Sequence, residues 1–218
     1  MAREARSVWF KPRDPASFHS EANLLTYVRL VACLVFFVLA VTEQRELYNF
    51  IGILIHWIGD VVDGKVARVF KQETIFGAEI DIIADRVEAI FFYVNFLFFH
   101  PILYLPVVIY LVDFAFIDFY LSNQSFKFGI ISPNYFYKVD DVVFRLNYSW
   151  TAKVMNSAVV AGMLIFLPKV HVGLTIVATS VLAAGLIGVK IYSIYRLYRR
   201  PGHPPLVGGP AGNEGSPA

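Results

Sequence analysis

Long apolar stretches, separated by short polar segments, run through most of the chain. A helix that crosses the hydrocarbon core of a bilayer needs roughly 20 apolar residues, and each stretch is close to that length. The stretches cover about residues 24–41, 47–70, 76–99, 102–121, 151–167 and 172–198. This pattern predicts an all-α fold, an integral membrane bundle of six transmembrane helices.

The two polar ends of the chain set the limits of this domain. Residues 1–22 contain an apolar cluster, Val8-Trp-Phe10, flanked by basic residues. Such a segment is typical of an amphipathic, interfacial anchor on the cytosolic face, and a disordered arm is the alternative. Residues 201–218 are rich in glycine and proline and are expected to form a disordered tail. The membrane domain then covers residues 23–200.

Composition and charge support this interpretation and orient the bundle. Hydrophobic residues make up 57% of the chain, above the roughly 45–50% of soluble domains. Of the 19 lysines and arginines, all but Arg45 and Lys169 fall on the side of the predicted bundle that carries the N-terminus. Because basic residues concentrate on the cytosolic side, both termini are predicted to be cytosolic.

Four aspartates interrupt the second and third stretches. Asp60 and Asp63 are three residues apart and Asp81 and Asp85 are four apart, so each pair shares one helix face. A short turn between the two helices makes them antiparallel neighbours, which brings the four carboxylates to a similar depth. Charges in a spanning helix are costly unless they are paired or hydrated. The cluster therefore predicts a divalent metal site, and oxygen ligands favour Mg²⁺ or Mn²⁺.

Magnesium held by carboxylates usually serves phosphate chemistry, because the metal neutralises charge on a diphosphate. Arg68 follows the first pair and suits phosphate recognition, since its planar fork matches phosphate oxygens. The alternative is purely structural: salt bridges from Lys65, Arg68 or Arg86 would then explain some of the acids.

The motif around these acids resembles the signature of the CDP-alcohol phosphotransferase family, DxxDGxxAR followed by eight residues and GxxxDxxxD. The chain matches every fixed position, namely Asp60, Asp63, Gly64, Ala67, Arg68, Gly77, Asp81 and Asp85. The six-span layout extends the resemblance over most of the chain.

The resemblance implies a role for each matched residue. Asp60, Asp63 and Asp81 would bind the metal, and Asp85 would complete the metal site and act as the base. The three small residues of the motif would leave room for a cytidine nucleotide, and Arg68 would contact its phosphates. The implied reaction transfers a phosphatidyl-type group from a CDP-lipid to a small alcohol and releases CMP. The resemblance also implies a homodimer with its site open to the cytosolic leaflet.

The acceptor alcohol is less well defined by the sequence. The stretch from Asn23 to Arg29 looks like the NxxTxxR opening of the phosphatidylglycerophosphate synthase branch. That branch usually has proline at the positions that Ala22 and Ile82 occupy here. On this basis glycerol 3-phosphate is the first candidate. Inositol phosphate, inositol and serine are the alternatives.

Three further polar residues are candidates for the acceptor pocket. Arg29 and Lys153 lie near the cytosolic ends of their spans and would hold a phosphate of the acceptor, or serve only as positive-inside anchors. Asp118 would line the acceptor cavity or pair with Lys127 or Arg145. The expected partners are thus a CDP-lipid, an alcohol, membrane lipids and a second copy of the chain, with no nucleic acid.

Other polar residues lie deeper in the spans. His56, four residues before Asp60, is expected to bond a carbonyl inside the bundle or to support the acidic site. Glu88 is expected to hydrogen-bond near the site, and Asn95 to bridge two helices. Two more distant functions also fit intramembrane acids. One is a magnesium-dependent prenyltransferase, although a second aspartate motif is missing, and the other is a cation transporter.

Overall fold

The computed structural model describes residues 20–199, and this part of the chain is mostly helical, with no β-strand. The predictions for residues 1–19 and 200–218 lie outside the described residues. The long helices are α1 Glu21–Thr42, α2 Glu46–Val69, α3 Ile75–Phe99, α4 Pro101–Lys127, α5 Asp141–Lys169 and α6 Val172–Tyr198. A 3₁₀ segment, Pro133–Lys138, connects α4 to α5.

Local sequence signals explain where the helices begin. The hydroxyl of Ser20 accepts a hydrogen bond from the Asn23 backbone N–H at the start of α1, and Thr74 does the same for Gly77 at the start of α3. The turns between α1 and α2 and between α2 and α3 each contain one residue with positive φ, Gln44 and Lys71. Such turns close short connections, so that α1, α2 and α3 pack as antiparallel neighbours.

Two helices depart from regular α geometry. Helix α4 is π-helical over Asp113–Asp118 and α5 over Met155–Val159. Helix α5 is also interrupted after Asn147, where the chain turns before Trp150. Short π segments inside α-helices are frequent at functional sites, because they rotate the following side chains to another face.

The region between the fourth and fifth predicted spans, residues 122–148, is largely helical. Helix α4 continues to Lys127, and the first part of α5 covers Asp141–Asn147. Three polar residues of this region, Ser122, Gln124 and Ser125, are buried against the bundle. Asp140 accepts hydrogen bonds from the first N–H groups of α5 and from Arg196 of α6, which fixes this end of the bundle.

The bundle interior is apolar, with a few polar bridges between helices. Its main core cluster contains Cys33, Phe37, Ile53, Phe92, Phe96, Val107, Tyr110, Val160, Leu164 and Ala183. The Asn95 side chain donates a hydrogen bond to the carbonyl of Phe37 at 2.8 Å, and Asn49 donates to the carbonyl of Phe92 at 3.1 Å. The prediction that Asn95 bridges two helices is confirmed.

Four helices in the described part of the chain, α1, α4, α5 and α6, are long and apolar enough to cross a membrane. Their outward faces are apolar, as at Val31 and Val177, which are each 62% exposed. Such faces need lipid rather than water around them, and the chain is an integral membrane protein. Helices α2 and α3 occupy their predicted positions, but the charged residues of the acidic motif make them less apolar than a typical span. The crossing of the membrane by α2 and α3 therefore stays a prediction.

Candidate active site

The four aspartates of the motif converge where α2 packs beside α3. Asp60, Asp63 and Asp81 each offer a carboxylate oxygen, and these oxygens lie within 4.8 Å of one another. Asp85 lies one turn further along α3 and belongs to a neighbouring group with His56 and Glu88. The prediction that two antiparallel helices bring their acids together is confirmed.

The four acids predicted a metal ion as their counter-charge, but a buried arginine already lies among them. The guanidinium of Arg29 from α1 lies 2.9 Å from Asp85 and 3.1 Å from Asp63. It also lies 3.3 Å from Asp81, 3.6 Å from Asp60 and 3.4 Å from Glu88. Its side chain is only 3% exposed. The sequence could not supply this pairing, because it depends on how α1 packs against α2 and α3.

Close packing between α1 and α2 holds Arg29 in this position. A Cβ at Gly59 would collide with the Cδ and Cγ methylenes of Arg29, so a glycine is required for the arginine stem to pass. On the same face of α1, the hydroxyl of Thr26 donates a hydrogen bond to Asp63 at 3.1 Å. Residues Thr26 and Arg29 therefore support the acidic cluster, a role that the spacing of NxxTxxR did not indicate.

A second layer lies behind Asp85. The Nδ1 atom of His56 lies 2.5 Å from the Glu88 carboxylate and 3.9 Å from that of Asp85. Glu88 is completely buried. The expectation that Glu88 hydrogen-bonds near the site is confirmed. The alternative in which His56 bonds a carbonyl is wrong, because α3 turns the Glu88 carboxylate toward it.

A cavity of about 320 Å³ opens beside the aspartate cluster. Seven of the eight motif residues line it: Asp60, Asp63, Gly64, Ala67, Arg68, Gly77 and Asp81. At its wall a Cβ on Gly77 would lie 2.6 Å from the side-chain oxygen of Asn23, so glycine is needed for this close approach. Arg68 is exposed and has no carboxylate partner in the described part of the chain, which leaves its guanidinium available to an anion.

The rim of this first cavity is tied together by polar contacts. The hydroxyl of Tyr135, in the 3₁₀ segment, donates to both carboxylate oxygens of Glu73 at 2.9 Å. Burial and the adjacent Glu73 raise the pKa of Tyr135 to about 12, so this hydroxyl remains protonated and keeps donating. The side chain of Gln72 accepts from the backbone N–H of Ala22 at 3.2 Å, which joins the start of α1 to the turn between α2 and α3.

A second cavity of about 210 Å³ adjoins the first and contains Asp85. Asp60, Asp81 and Lys153 line both cavities, so the two meet at the aspartate cluster. The Nζ atom of Lys153 donates to the side-chain oxygen of Asn134 at 2.6 Å. Of the three residues predicted for the acceptor pocket, Lys153 and Asp118 line this cavity. Arg29 lines neither cavity because it is buried behind the acids.

The partners expected for Asp118 were wrong. Asp118 pairs with Arg86 of α3 and lies 3.2 Å from the Nζ atom of Lys190 of α6. Lys190 is buried and also pairs with Asp113. Lys127 and Arg145 are directed elsewhere, and Arg145 forms a surface pair with Asp141 at 2.7 Å. The π segment of α4 accounts for the difference, because it rotates Asp118 toward the bundle interior.

The donor set fits a divalent metal ion. Three aspartate carboxylates within 4.8 Å of one another are hard oxygen ligands of the kind that Mg²⁺ and Mn²⁺ prefer. Asp60 and Asp81 have side chains 46% and 37% exposed, so the cluster is open toward the cavities. On the side away from the cavities, the guanidinium of Arg29 already neutralises part of the negative charge of these aspartates.

Comparison with known proteins gave one match. The family model described as CDP-alcohol phosphatidyltransferase matches residues 20–195, which is most of the chain. A search of curated proteins and a search of solved structures gave no match.

Proposed function

The chain belongs to the CDP-alcohol phosphatidyltransferase family, and we propose that it transfers a phosphatidyl-type group from a CDP-lipid to a small alcohol in phospholipid synthesis. CDP-diacylglycerol is the proposed donor and CMP the product. The observation that carries this proposal is the pair of cavities that meet at the aspartate cluster. One cavity would take the nucleotide and the other the alcohol, with the reacting phosphorus between them.

The first cavity suits the cytidine diphosphate end of the donor. Small residues at Gly64, Ala67 and Gly77 leave its walls open, and Arg68 offers a guanidinium to the phosphates. Mg²⁺ or Mn²⁺ would be held by Asp60, Asp63 and Asp81, with Asp85 as the fourth carboxylate. Such an ion would supply charge neutralisation on the diphosphate and on the leaving phosphate.

The second cavity brings an acceptor hydroxyl to Asp85. In the proposed step, the hydroxyl oxygen bonds to the lipid-side phosphorus, and the bond from that phosphorus to the bridging diphosphate oxygen breaks. CMP leaves with the electron pair, and Asp85 takes the hydroxyl proton. Asp85 is suited to this role because it is 21% exposed and faces the cavity, while His56 and Arg29 fix its position from behind.

The membrane topology, the orientation and the oligomeric state of the chain belong to the same proposal. We expect six spans, a cytosolic interfacial segment at the N-terminus, a site open to the cytosolic leaflet and a homodimer. The distribution of lysine and arginine supports this orientation. Helices α2 and α3 would cross the membrane with their charged ends grouped at the two cavities, where carboxylates can be hydrated or bound by metal.

The predicted acceptor, glycerol 3-phosphate, rested on the NxxTxxR resemblance, with Arg29 and Lys153 as candidate ligands of its phosphate. Arg29 is engaged by carboxylates and lines neither cavity. Lys153 lies where the two cavities meet, so it is placed to contact the transferred phosphate as well as an acceptor.

The test is CMP release from CDP-diacylglycerol by the purified full-length chain, with Mg²⁺ or EDTA and with or without candidate alcohols. We expect release only when both Mg²⁺ and an alcohol are present. Asp85→Asn should lower the rate at least about 100-fold, the lower end for a lost general base. The control Asp141→Asn changes an exposed surface pair and should leave the rate unchanged.

Two results would contradict the proposal. Ion flux in vesicles without CMP release would favour a transporter, and transfer from a prenyl diphosphate would favour a prenyltransferase. Retention of activity by Asp85→Asn would remove Asp85 as the base without removing the transferase. Circular dichroism of the variant confirms that any loss of activity is not a loss of fold.

A further inference from the structure

The lining of the second cavity contains neutral amide and hydroxyl side chains as well as charged ones. The break in α5 and its π segment bring Asn147, Asn156 and Ser157 into the same lining as Asp85 and Asp118. The Oγ atom of Ser157 accepts a hydrogen bond from the indole N–H of Trp57 at 3.1 Å. These amide and hydroxyl groups recognise the hydroxyl groups of an acceptor better than they recognise the negative charge of a phosphate on the acceptor.

Two amide oxygens in this lining are buried and have no hydrogen-bond donor in the described part of the chain, Oδ1 of Asn147 and Oδ1 of Asn156. The two residues are 4% and 9% exposed. For Asn147 the orientation of the amide is fixed, since its Nδ2 donates to the Val143 carbonyl at 2.9 Å and to Ser193 Oγ at 2.8 Å. A buried carbonyl oxygen without a donor is unfavourable, so both oxygens favour a partner that donates a hydrogen bond.

The charges around the cavity disfavour a phosphorylated partner. Three aspartates of the motif line it, Asp60, Asp81 and Asp85, whereas the charge of Asp118 is balanced by Arg86 and Lys190. Arg86, one of its cations, pairs with Asp118, donates to Ser122 Oγ at 3.3 Å and lies over the ring of Phe114. Arg86 is therefore already neutralised. Among the described residues this leaves Lys153, at the junction of the cavities, as the cation of this lining without a carboxylate partner.

We propose that the acceptor is an uncharged polyhydroxy alcohol, a cyclitol or a short polyol, rather than a phosphorylated alcohol. Two of its hydroxyls donate hydrogen bonds to the side-chain oxygens of Asn147 and Asn156, and a third reaches Asp85 and becomes the nucleophile. Lys153 then contacts the phosphate that is transferred. This inference rests on the proposed function and narrows its acceptor.

The first experiment compares alcohols that differ only by a phosphate. CMP release from CDP-diacylglycerol in Mg²⁺ is measured with inositol against inositol phosphate, and with glycerol against glycerol 3-phosphate, with serine as an amino alcohol. We expect kcat/KM for at least one neutral member to exceed that of its phosphorylated partner by about tenfold or more. Preference for a phosphorylated member or for serine would overturn the inference and leave the proposed function standing. Absence of CMP release with every alcohol would instead remove the proposed function.

The second experiment tests the amide oxygens. Asn156→Leu keeps the size of the side chain and removes its acceptor, so the KM for the neutral polyol should rise about tenfold, as expected for one lost hydrogen bond. The KM for CDP-diacylglycerol should stay unchanged. Asn156→Asp keeps an oxygen acceptor and should retain a polyol KM within about threefold of the parent.

Asn123→Leu is the matched control. Asn123 hydrogen-bonds the Phe119 carbonyl and lines neither cavity, so its polyol KM should not change. An unchanged polyol KM in Asn156→Leu would overturn the role of the amide oxygen. A rise in both substrate KM values, or the same rise in the control, would show a general structural effect and would count equally against it.

Discussion

Arg29 offers the sharpest test of how the acidic cluster is held together. Substitution of Arg29 by Gln keeps a polar side chain and removes the one cation that contacts all five surrounding carboxylates. The guanidinium is 3% exposed, and of its partners Asp63 and Glu88 are 4% and 0% exposed. We expect the variant to be unstable in the absence of metal and to gain more stability from Mg²⁺ than the parent protein.

The magnitude follows from the burial of the partners. Removal of one member of a buried ion pair costs about 3–5 kcal/mol, because the remaining charge is left without a counter-ion. Asp60 and Asp81 are 46% and 37% exposed, so water screens them and most of the cost falls on Asp63 and Glu88. Mg²⁺ at about 100 times its dissociation constant returns about 2.7 kcal/mol. Because Arg29 competes for the same carboxylates, its removal should also raise the affinity for Mg²⁺.

The assay is thermal unfolding in detergent, followed by circular dichroism, in EDTA and across a Mg²⁺ titration. The control is Arg145→Gln, which breaks an exposed pair with Asp141, 75% and 55% exposed, and should change stability by no more than about 0.5 kcal/mol. The reasoning is refuted if Arg29→Gln unfolds at the parent temperature in EDTA and shows the same Mg²⁺-dependent shift as the parent.

Two further predictions concern the cavity wall and the buried charges. Gly77→Ala would place a Cβ 2.6 Å from the Asn23 side-chain oxygen and push that side chain into the first cavity. The KM for CDP-diacylglycerol should therefore rise while the KM for the acceptor stays constant. Equal changes in both KM values would contradict this prediction. Lys190→Met leaves Asp113 buried without its partner and should cost about 3–5 kcal/mol, whereas adding Asp113→Leu should recover most of that loss. Unfolding midpoints of the two variants decide this, and a double variant no more stable than the single one would count against it.

The positions of the helices and the grouping of the aspartates were accessible from the sequence. The apolar run predicted over residues 172–198 is the helix Val172–Tyr198, because a helix satisfies the backbone hydrogen bonds of a long apolar segment in a bilayer. The spacing of Asp60, Asp63, Asp81 and Asp85 placed them on facing surfaces, since side-chain direction repeats every 3.6 residues and a short turn fixes the two helices as neighbours. The motif itself indicated the family.

The partners of the charged residues were decided only by the tertiary structure. Nothing in the spacing of Arg29 indicates that it enters the acidic cluster, because that depends on the approach of α1 to Gly59 of α2. The rotations that the two π segments impose could not be predicted from a periodic pattern of apolar residues, because that pattern assumes a regular α-helix. These rotations direct Asp118 toward Arg86 and Lys190, with which it forms ion pairs, and they place Asn156 in the lining of the second cavity. The sequence determined which helices form and where their acids lie, because these are local properties of the chain. The counter-ions and the acceptor cavity depend on distances between helices, which only the packed bundle sets.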